Sequence, residues 1–431
     1  MFIDKIALKN IRGFRDLEFS LDRGNGRYAG WTVFTCDNGS GKSTLLKAIA
    51  VGLTGKDTAR ALQPSFHRWV SDGEHEASIE LLIVQSADDD FLSGEGRAPG
   101  KKFPACISFK NGSREPQVEI ITPAGKPKNY SMPQRTIWSL DSRGWFCCGY
   151  GPFRRVFGAS PEATRQMVAP ATERFVTMFQ EAASLAEMDQ WLRNLSHKAL
   201  EGKLDEKRQL AVLVEILRDN LMPNRITVDR VDSDGLWLKD RNNVQLAWGE
   251  MSDGYRAALA LLADILRHLI DAYGIVGLTD RDAEGKLFVK RSGVVLIDEI
   301  DAHLHPEWQR EIGFWLKRHF PNIQFLVTTH SPIICQAADE NGLFVLPEPG
   351  SGDQPRALTT DEYQTVIVSR PDTILLTPAF GLQNTRSPRA VEGRAEYAKL
   401  MAKQRTGAKL TKAEQGQVNQ LHLFADTGEE P

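Results

Sequence analysis

The sequence predicts an α/β protein built around a phosphate-binding loop, and three stretches carry that expectation. Thr32 to Thr35 is a short β-branched and aromatic run that leads into Cys36-Asp37-Asn38-Gly39-Ser40-Gly41-Lys42-Ser43-Thr44, and Leu45 to Ile49 then opens a helix. This is the strand, glycine-rich loop and helix that a P-loop requires, with backbone N–H groups and a helix N-terminus turned toward phosphate oxygens. Gly293-Val294-Val295-Leu296-Ile297 is a continuous apolar run, the mark of a buried parallel strand, and it ends in Asp298-Glu299. A helix from Pro306 to Phe320, with proline at its start, and a strand from Asn322 to Val327 follow, so the late chain alternates strand and helix as an α/β core does. One departure stands out: Cys36 occupies the first glycine position of G-x-x-x-x-G-K-[ST].

Taken in order, Phe2 to Leu8 and Leu17 to Leu21 alternate apolar and polar residues and read as strands. The helix after the loop is expected to end near Gly52 to Gly55. Ala77 to Val84, within Glu76 to Gln85, is a further strand, and Ala105 to Phe109 and Val118 to Ile121 are short ones. Between them, Asp88 to Lys102 is rich in Gly, Asp and Lys and reads as an exposed loop. Trp145 to Arg155 is a strand running into a Gly-Pro turn. Pro161 to about Leu221 reads as two or three helices closing at Pro223. Leu185, Met188, Trp191, Leu192 and Leu195, then Leu210, Leu213, Val214 and Leu217, recur at helical spacing without sustained heptads. Strands return at Ile226–Val228, Gly235–Leu238 and Val244–Leu246, and a strong helix follows from Gly254 to about Tyr273. Pro347 to Pro355 is a loop. Val391 to about Leu421 is charged and helical, broken near Arg405-Thr406-Gly407, as in a short helical hairpin, and the chain from Ala425 is expected to fray.

At 431 residues the chain has room for two or three domain-sized units, and its 41% hydrophobic and 25% charged residues place it with ordinary soluble globular proteins. A net charge of −3 gives no whole-molecule attraction for nucleic acid, so any such surface must be a local patch. Cys36, Cys106, Cys147, Cys148 and Cys335 form no C-x-x-C pair and no zinc spacing, which fits free thiols in a reducing cytosol. Met1 to Lys5 is not a signal peptide, and no apolar run approaches the roughly 18 residues of a membrane span. A cytoplasmic location is the expectation.

The chemistry follows from the residue types. Lys42 is placed to reach the β/γ-phosphates of a nucleotide. Asn38, Gly39, Ser40, Gly41 and Thr44 complete the cradle, and the Ser43 hydroxyl is a Mg²⁺ ligand. Asp298, at the end of a buried strand, would hold the same Mg²⁺, and Glu299 beside it can polarise an attacking water. His330, in Thr328-Thr329-His330-Ser331-Pro332 after the next strand, is placed to bond a γ-phosphate or orient the water. Met251-Ser252-Asp253-Gly254-Tyr255-Arg256 opens the long helix and forms a second candidate anion site, which is compatible with Ser252 or Asp253 also acting as its N-cap.

Four motifs in this order resemble the head of an ABC-type ATPase, a P-loop NTPase core sheet joined to an antiparallel β lobe. Met251 to Tyr255 sits where that family has LSGGQ, with Asp253 for its first glycine and Tyr255 for its glutamine. His330 matches the H-loop histidine. Asp301-Ala302-His303-Leu304-His305-Pro306 occupies the D-loop, with His305 at the usual aspartate; that position argues against a metal on the His-x-His pair. Lys5 to Arg15, the long gap between P-loop and signature, and Asp298 to Gln309 are similar to the RecF/SMC/OLD branch. Together with Ser252 to Arg256 and Tyr150 to Arg155, they look closest to ATPases of Septu-type and retron-linked anti-phage systems, which pair with an HNH nuclease. The resemblance covers about Met1 to Leu346.

It implies composite ATP sites. One subunit would give the P-loop, Asp298, Glu299 and His330, and the other Ser252, Asp253 and Gly254, although one chain leaves cis and trans open. It implies a homodimer or higher oligomer that binds and hydrolyses ATP with Mg²⁺ to license or restrain a nuclease, acting on DNA or on retron RNA/DNA and not at a membrane. The implied division is a first ATPase lobe over 1–155, a helical insertion over 156–224, a second lobe over 225–346, and a C-terminal extension over 347–431 that docks a partner. Arg12 and Phe14 would approach the base or ribose. Gln85 is either a Q-loop residue or a strand end, and Arg154 and Arg155 either read phosphate or form an ion pair. Nothing after Leu346 shows the acidic strand ends of a Toprim nuclease, and no H-N-H constellation is present, so the chain is not expected to cut nucleic acid itself. The other readings are a RecF-like repair ATPase that clamps DNA and a nucleotide-locked scaffold with negligible turnover.

Overall fold

The continuous apolar runs lie side by side in one sheet. The computed structural model describes residues 1–36, 39–92, 99–112, 115–139, 143–154, 170–180, 185, 187–220, 222, 225–407 and 409–425. Asp37, Asn38, Arg155, Pro161, Pro223, the centre of the 88–102 loop and the last six residues lie outside them. The chain forms two compact units, Met1–Ile374 and Leu375–Pro431.

The first unit holds two large sheets. The antiparallel one has β1 (Phe2–Ile11), β2 (Phe14–Ser20), β4 (Glu76–Val84), β5 (Lys102–Lys110) and β6 (Gln117–Ile120) in the order β2-β1-β4-β5-β6. The six-stranded one runs β16-β15-β3-β14-β13-β7, from β16 (Arg356–Ala357), β15 (Leu343–Val345) and β3 (Gly30–Thr35) to β14 (Ile323–Thr328), β13 (Gly293–Ile297) and β7 (Cys147–Tyr150). All its pairs are parallel except the β15–β16 edge. Every residue of β3, β13 and β14 is buried, because both faces of this sheet are covered, so these strands lack period-2 alternation. In β2 burial does alternate, as expected of a strand with one wet face.

Helix α1 (Lys42–Leu62) lies in the core shared by the two sheets. Leu45, Ile49 and Leu53 pack in one cluster with Ile6, Leu8, Ile79 and Leu81 of the antiparallel sheet and with Val294, Leu296 and Leu326 of the parallel one. The helix runs past the stop expected near Gly52–Gly55, with a left-handed break at Gly55 (φ 80°) before it resumes. A single fully buried amide also joins the sheets. Gln324 of β14 accepts from the Ile3 N–H at 2.7 Å and donates to the Ile3 carbonyl at 2.9 Å, where the β1–β4 register slips between Ile3 and Lys5.

The stretch read as helical from Pro161 resolves, in its described part, into the single turns α2 (Pro170–Glu173) and α3 (Val176–Phe179), then α4 (Glu187–Leu200) and α5 (Leu204–Arg218). Leu192, Leu195, Leu213 and Leu217 are buried, as their spacing predicts. The α4–α5 pair packs on a three-stranded sheet of β8 (Thr227–Asp232), β9 (Gly235–Lys239) and β10 (Gln245–Ala247), with Ser196 Oγ donating to the Val231 carbonyl at 3.2 Å. The hairpin of β11 (Thr279–Arg281) and β12 (Leu287–Val289), and the short strands β15 and β16, lie outside the strands expected from the sequence. Two or three residues cannot display a period. Helices α6 (Asp253–Tyr273), α7 (Pro306–His319), α8 (Pro332–Cys335), α9 (Thr360–Val368) and α10 (Pro371–Leu375) complete the run toward the second unit, which contains α11 (Pro388–Arg405) and α12 (Lys412–Ala425). In that second unit Lys403 pairs with Glu414 at 2.6 Å across the break read near Gly407. Among the described residues, no helix is long and apolar enough to cross a membrane.

The Gln324 bridge generates a stability prediction. Gln324→Met conserves volume but strands the buried N–H and C=O of Ile3. It should cost about 2–4 kcal/mol in urea unfolding, the penalty of orphaned backbone groups; a loss below about 0.5 kcal/mol would show that the two sheets do not depend on this amide.

Candidate active site

Strand β3 delivers the chain at Thr35 into the glycine-rich loop, and α1 begins at Lys42. Gly39 and Gly41 take left-handed φ values of 86° and 90°. Gly41 is doubly constrained: a Cβ there would also lie 2.7 Å from the Phe14 ring. The first residue of β2 therefore closes the underside of the loop. Phe14 is buried, so it packs under the loop and does not present a face to a base as expected. Ser40 is buried with its Oγ against the Cys36 sulfur. The Lys42 ammonium, also buried, donates to the Cys36 carbonyl at 3.0 Å. Burial pushes the Cys36 thiol up, against the smaller opposite pulls of Ser40 and Lys42, so it stays a neutral lining. No side chain caps α1 and no acid sits in its first turn, which leaves the helix N-terminus suited to an anion. Ser43 and Thr44 lie half-buried in that turn. Arg12 is anchored on the Trp69 ring at 5.3 Å, with Nη1 3.5 Å from Thr44 Oγ1, so it stands beside the loop. Asn38 is outside the described residues.

The parallel register carries the other groups to the same edge. Ile297 pairs with Val327, and Val327 with Val33, so β13, β14 and β3 end on the same side of the sheet, each one residue beyond the strand before it. At the usual strand spacing Asp298 is two strands, or about 10 Å, from the end of β3, with the β14 end between them. Asp298 is buried, and its Oδ1 accepts from Thr328 Oγ1 at 2.5 Å. The same hydroxyl oxygen accepts from the Glu299 N–H at 2.7 Å. Glu299 itself is half-buried and left-handed, at φ 46°, an unfavourable conformation for a residue with a Cβ. Asp301 Oδ1 accepts from Thr329 Oγ1 at 2.5 Å and from the His330 N–H at 3.4 Å, which ties the turn after β13 to the half-buried His330. The sequence places Asp301 at the head of the D-loop and Thr328 just before His330 without assigning either a hydrogen-bond role; two consecutive threonines at the end of a buried run are the signal for Thr328.

Ser252 is the N-cap residue of α6, yet its side chain makes no capping hydrogen bond and is exposed. Asp253 pairs with Arg256 one turn on. Gly254 packs directly on the D-loop, where a Cβ would collide with the carbonyl oxygen of His303, and Tyr255 meets Trp308 at 5.0 Å. The signature residues are thus seated on the D-loop of their own chain. Of the His-x-His pair, His305 caps α7, its Nδ1 accepting from the Glu307 N–H at 3.3 Å. Among the described residues, no group of three His, Cys, Asp or Glu could hold a metal ion.

Two other expectations resolve against a role at the nucleotide. Gln85 donates to the Asp90 carbonyl at 3.3 Å and is a strand-end residue. Arg154 is buried and donates to backbone carbonyls, among them those of Gly151 at 2.9 Å and Asp298 at 2.7 Å. Its hydrogen bonds to described residues all go to main-chain carbonyls, and among the described residues it forms no ion pair. Arg155 lies outside the described residues.

Comparison with known proteins gives matches at both motif sets. Residues 5–141, which contain the glycine-rich loop, match a family described as an AAA domain. Residues 168–336, which contain Ser252, Asp298 and His330, match one described as an AAA domain, putative AbiEii toxin, Type IV TA system. The chain is 44% identical over 408 residues to the Retron Ec83 probable ATPase of Escherichia coli, with 79% of this chain and 70% of that protein covered. It is 25% identical over 385 residues to a Septu protein PtuA of Bacillus mycoides (strain KBAB4), covering 89% of this chain and 45% of that protein, so it spans about half the length of that relative. Superposition on an SmcHead bound to the C-winged helix domain of ScpA gives a TM-score of 0.47 at 13% identity, covering 85% of this chain and 100% of that one.

The Thr328 hydroxyl can be tested in isolation. Thr328→Val keeps the shape but removes both hydrogen bonds, leaving the buried Asp298 carboxylate and the Glu299 N–H without that partner. A loss of about 1–3 kcal/mol in chemical denaturation is expected; an unchanged midpoint would mean that the strand ends are held by the ladder alone.

Proposed function

This chain belongs to the family of the retron ATPases, and on that premise we propose that it binds and hydrolyses ATP at composite sites between subunits, and thereby regulates a partner nuclease in anti-phage defence. The observation that supports the reading is the ending of β3, β14 and β13 on one side of the sheet, within two residues of one another, where the segments bearing Lys42, His330 and the Asp298–Glu299 pair begin.

In this reading Gly39, Ser40, Gly41, Lys42 and Thr44, with Asn38, enclose the phosphates, and Arg12 approaches the nucleotide from beside Thr44. The Gly41 cradle, which any Cβ would fill, supports this assignment. Ser43 and Asp298 would hold Mg²⁺, which when bound neutralises charge on the phosphate oxygens. The Glu299 carboxylate accepts the hydrogen bond of the attacking water and takes its proton, and His330 bonds the γ-phosphate. Ser252 and Gly254, with Asp253 beside them, come from a second copy. The exposed Ser252 hydroxyl, which its own helix does not use as a cap, supports an acceptor outside the subunit. We place the protein in the cytoplasm as a dimer or larger assembly. The 1–155 and 225–346 segments act as the two ATPase lobes, 156–224 as the helical insertion, and the C-terminal helices within 347–431 as the docking element for an HNH-type nuclease. The nuclease, acting on DNA or together with retron RNA/DNA, does the cutting.

Substitutions separate these roles. Lys42→Ala should abolish binding of a fluorescent ATP analogue. Cys36→Gly should keep it, because Cys36 offers Lys42 a main-chain carbonyl; loss of binding in Cys36→Gly would show that the thiol itself is needed. Glu299→Gln should lower turnover roughly 10²–10⁴-fold. It should also leave an ATP-dependent oligomer that persists in size-exclusion light scattering. A Glu299→Gln protein with full protection against phage would favour the nucleotide-locked scaffold instead.

A further inference from the structure

The buried guanidinium of Arg154 stands behind the catalytic turn and touches nothing but main chain among its described hydrogen-bond partners. Its Nη1 donates to the carbonyls of Gly151 at 2.9 Å and Asp298 at 2.7 Å. Its Nη2 donates to those of Glu299 at 2.9 Å, Ile300 at 3.3 Å and Ala302 at 3.4 Å. The acceptors follow one another because the chain coils here, with Glu299 left-handed at φ 46° and His303 at φ 67°. Such a turn directs consecutive carbonyls to one side, where they need a planar, many-armed donor. Lysine has three donors about a single point and cannot span them; arginine has five in a fixed fork. Burial pushes the guanidinium down to about 10, and the nearby Asp298, Asp301 and Glu299 oppose that, so it is charged at neutral pH. A buried charge is tolerated only when well hydrogen-bonded, and here the bonds go to the segment from Asp298 to Ala302.

The position of Arg154 in the chain adds a second link. It follows β7 by a four-residue turn, and β7 is laddered to the catalytic strand through the Asp298 N–H and the Tyr150 carbonyl at 2.8 Å. The Tyr150 hydroxyl donates to Asp264 Oδ2 of α6 at 2.9 Å, on the helix that begins at the signature. Gly254 at the start of that helix rests on the carbonyl of His303. Acid pair, D-loop and signature helix therefore meet at the β7–Arg154 corner.

We propose that Arg154 is a positioning residue for ATP hydrolysis, holding Glu299 and the D-loop as one rigid turn through their main-chain carbonyls. The proposal rests on the hydrolysis assigned above to Glu299, and Arg154 acts through that residue without touching the nucleotide.

The test uses the full chain with Arg154→Lys and Arg154→Gln, each compared with the parent and with Glu299→Gln. A turn loosened by an ångström lowers kcat by roughly 10–100-fold while the Kd for a non-hydrolysable ATP analogue stays within about threefold. Amide hydrogen exchange should quicken over 298–303 and not over α1. Arg154→Lys, the milder change, should retain more turnover than Arg154→Gln. In a Glu299→Gln background, adding Arg154→Lys should reduce the residual rate by less than about threefold, since the carboxylate it positions is already gone. Parent-like kcat in both variants, a parallel loss of analogue affinity and kcat, or full additivity with Glu299→Gln would overturn the proposal. So would failure of both variants to fold, which would make Arg154 a residue of the fold alone. If both Arg154 variants are silent while Glu299→Gln is inactive, only the positioning role falls. If Glu299→Gln turns over normally, the hydrolysis reading falls and this one with it.

Discussion

Three parallel strands that end on one side of the sheet, within two residues of one another, are the constraint on which the rest of this site depends. The ladder of β3, β14 and β13 is a main-chain property, indifferent to the side chains that follow it, and it sets Thr35, Thr328 and Asp298 at one edge. A parallel sheet leaves the N–H and C=O groups beyond its last bonds unpaired, and here they are buried. Thr328 answers this for the middle strand, donating to Asp298 and accepting from Glu299 with one hydroxyl. Asp301 accepts from the Thr329 hydroxyl and from the His330 N–H at the next strand end. The polar residues at the edge thus serve to satisfy the main chain.

Close approaches of backbone to neighbouring groups then connect the edge to the remainder of the first unit. Gly41 admits Phe14 from the antiparallel sheet beneath the glycine-rich loop, and Gly254 admits the His303 carbonyl beneath the signature. Where two surfaces meet without an intervening side chain, a shift in one is transmitted to the other, because packed interiors have little room to absorb it. The loop is in this way coupled to the antiparallel sheet, and the signature helix to the D-loop of its own chain. In a composite site built from two copies, that second coupling would link the acid pair of one site to the signature contributed to the other.

Arg154 illustrates how a strongly basic side chain can be withdrawn from recognition. In sequence it sits beside Arg155 after a Gly-Pro turn, the kind of cluster that reads phosphate. In the structure its donors face carbonyls of the Asp298–Ala302 segment. The distinction is one of burial, since the fork that would suit an anion suits a ring of main-chain oxygens equally well.

The local sequence determined the elements that carry long, repetitive signals. The apolar run of Gly293–Ile297, the amphipathic Asp253–Tyr273 helix, the glycine-rich loop and the broken C-terminal hairpin all obey periods or breakers that act within a few residues. It also displayed the residue types of the proposed nucleotide site, since Lys42, Asp298, Glu299 and His330 each lie beyond a strand. Only the tertiary structure decided the rest. The two-residue and three-residue strands β11, β12, β15 and β16 owe their state to the neighbour they pair with, not to their own pattern. Thr328, Asp301, Gln324 and Arg154 acquire their roles from main-chain groups up to 321 positions away, whose unpaired hydrogen bonds exist only once the sheets are assembled. A sequence displays the groups a chain possesses; which of them are left wanting a partner, and which side chain is near enough to supply one, is settled by packing.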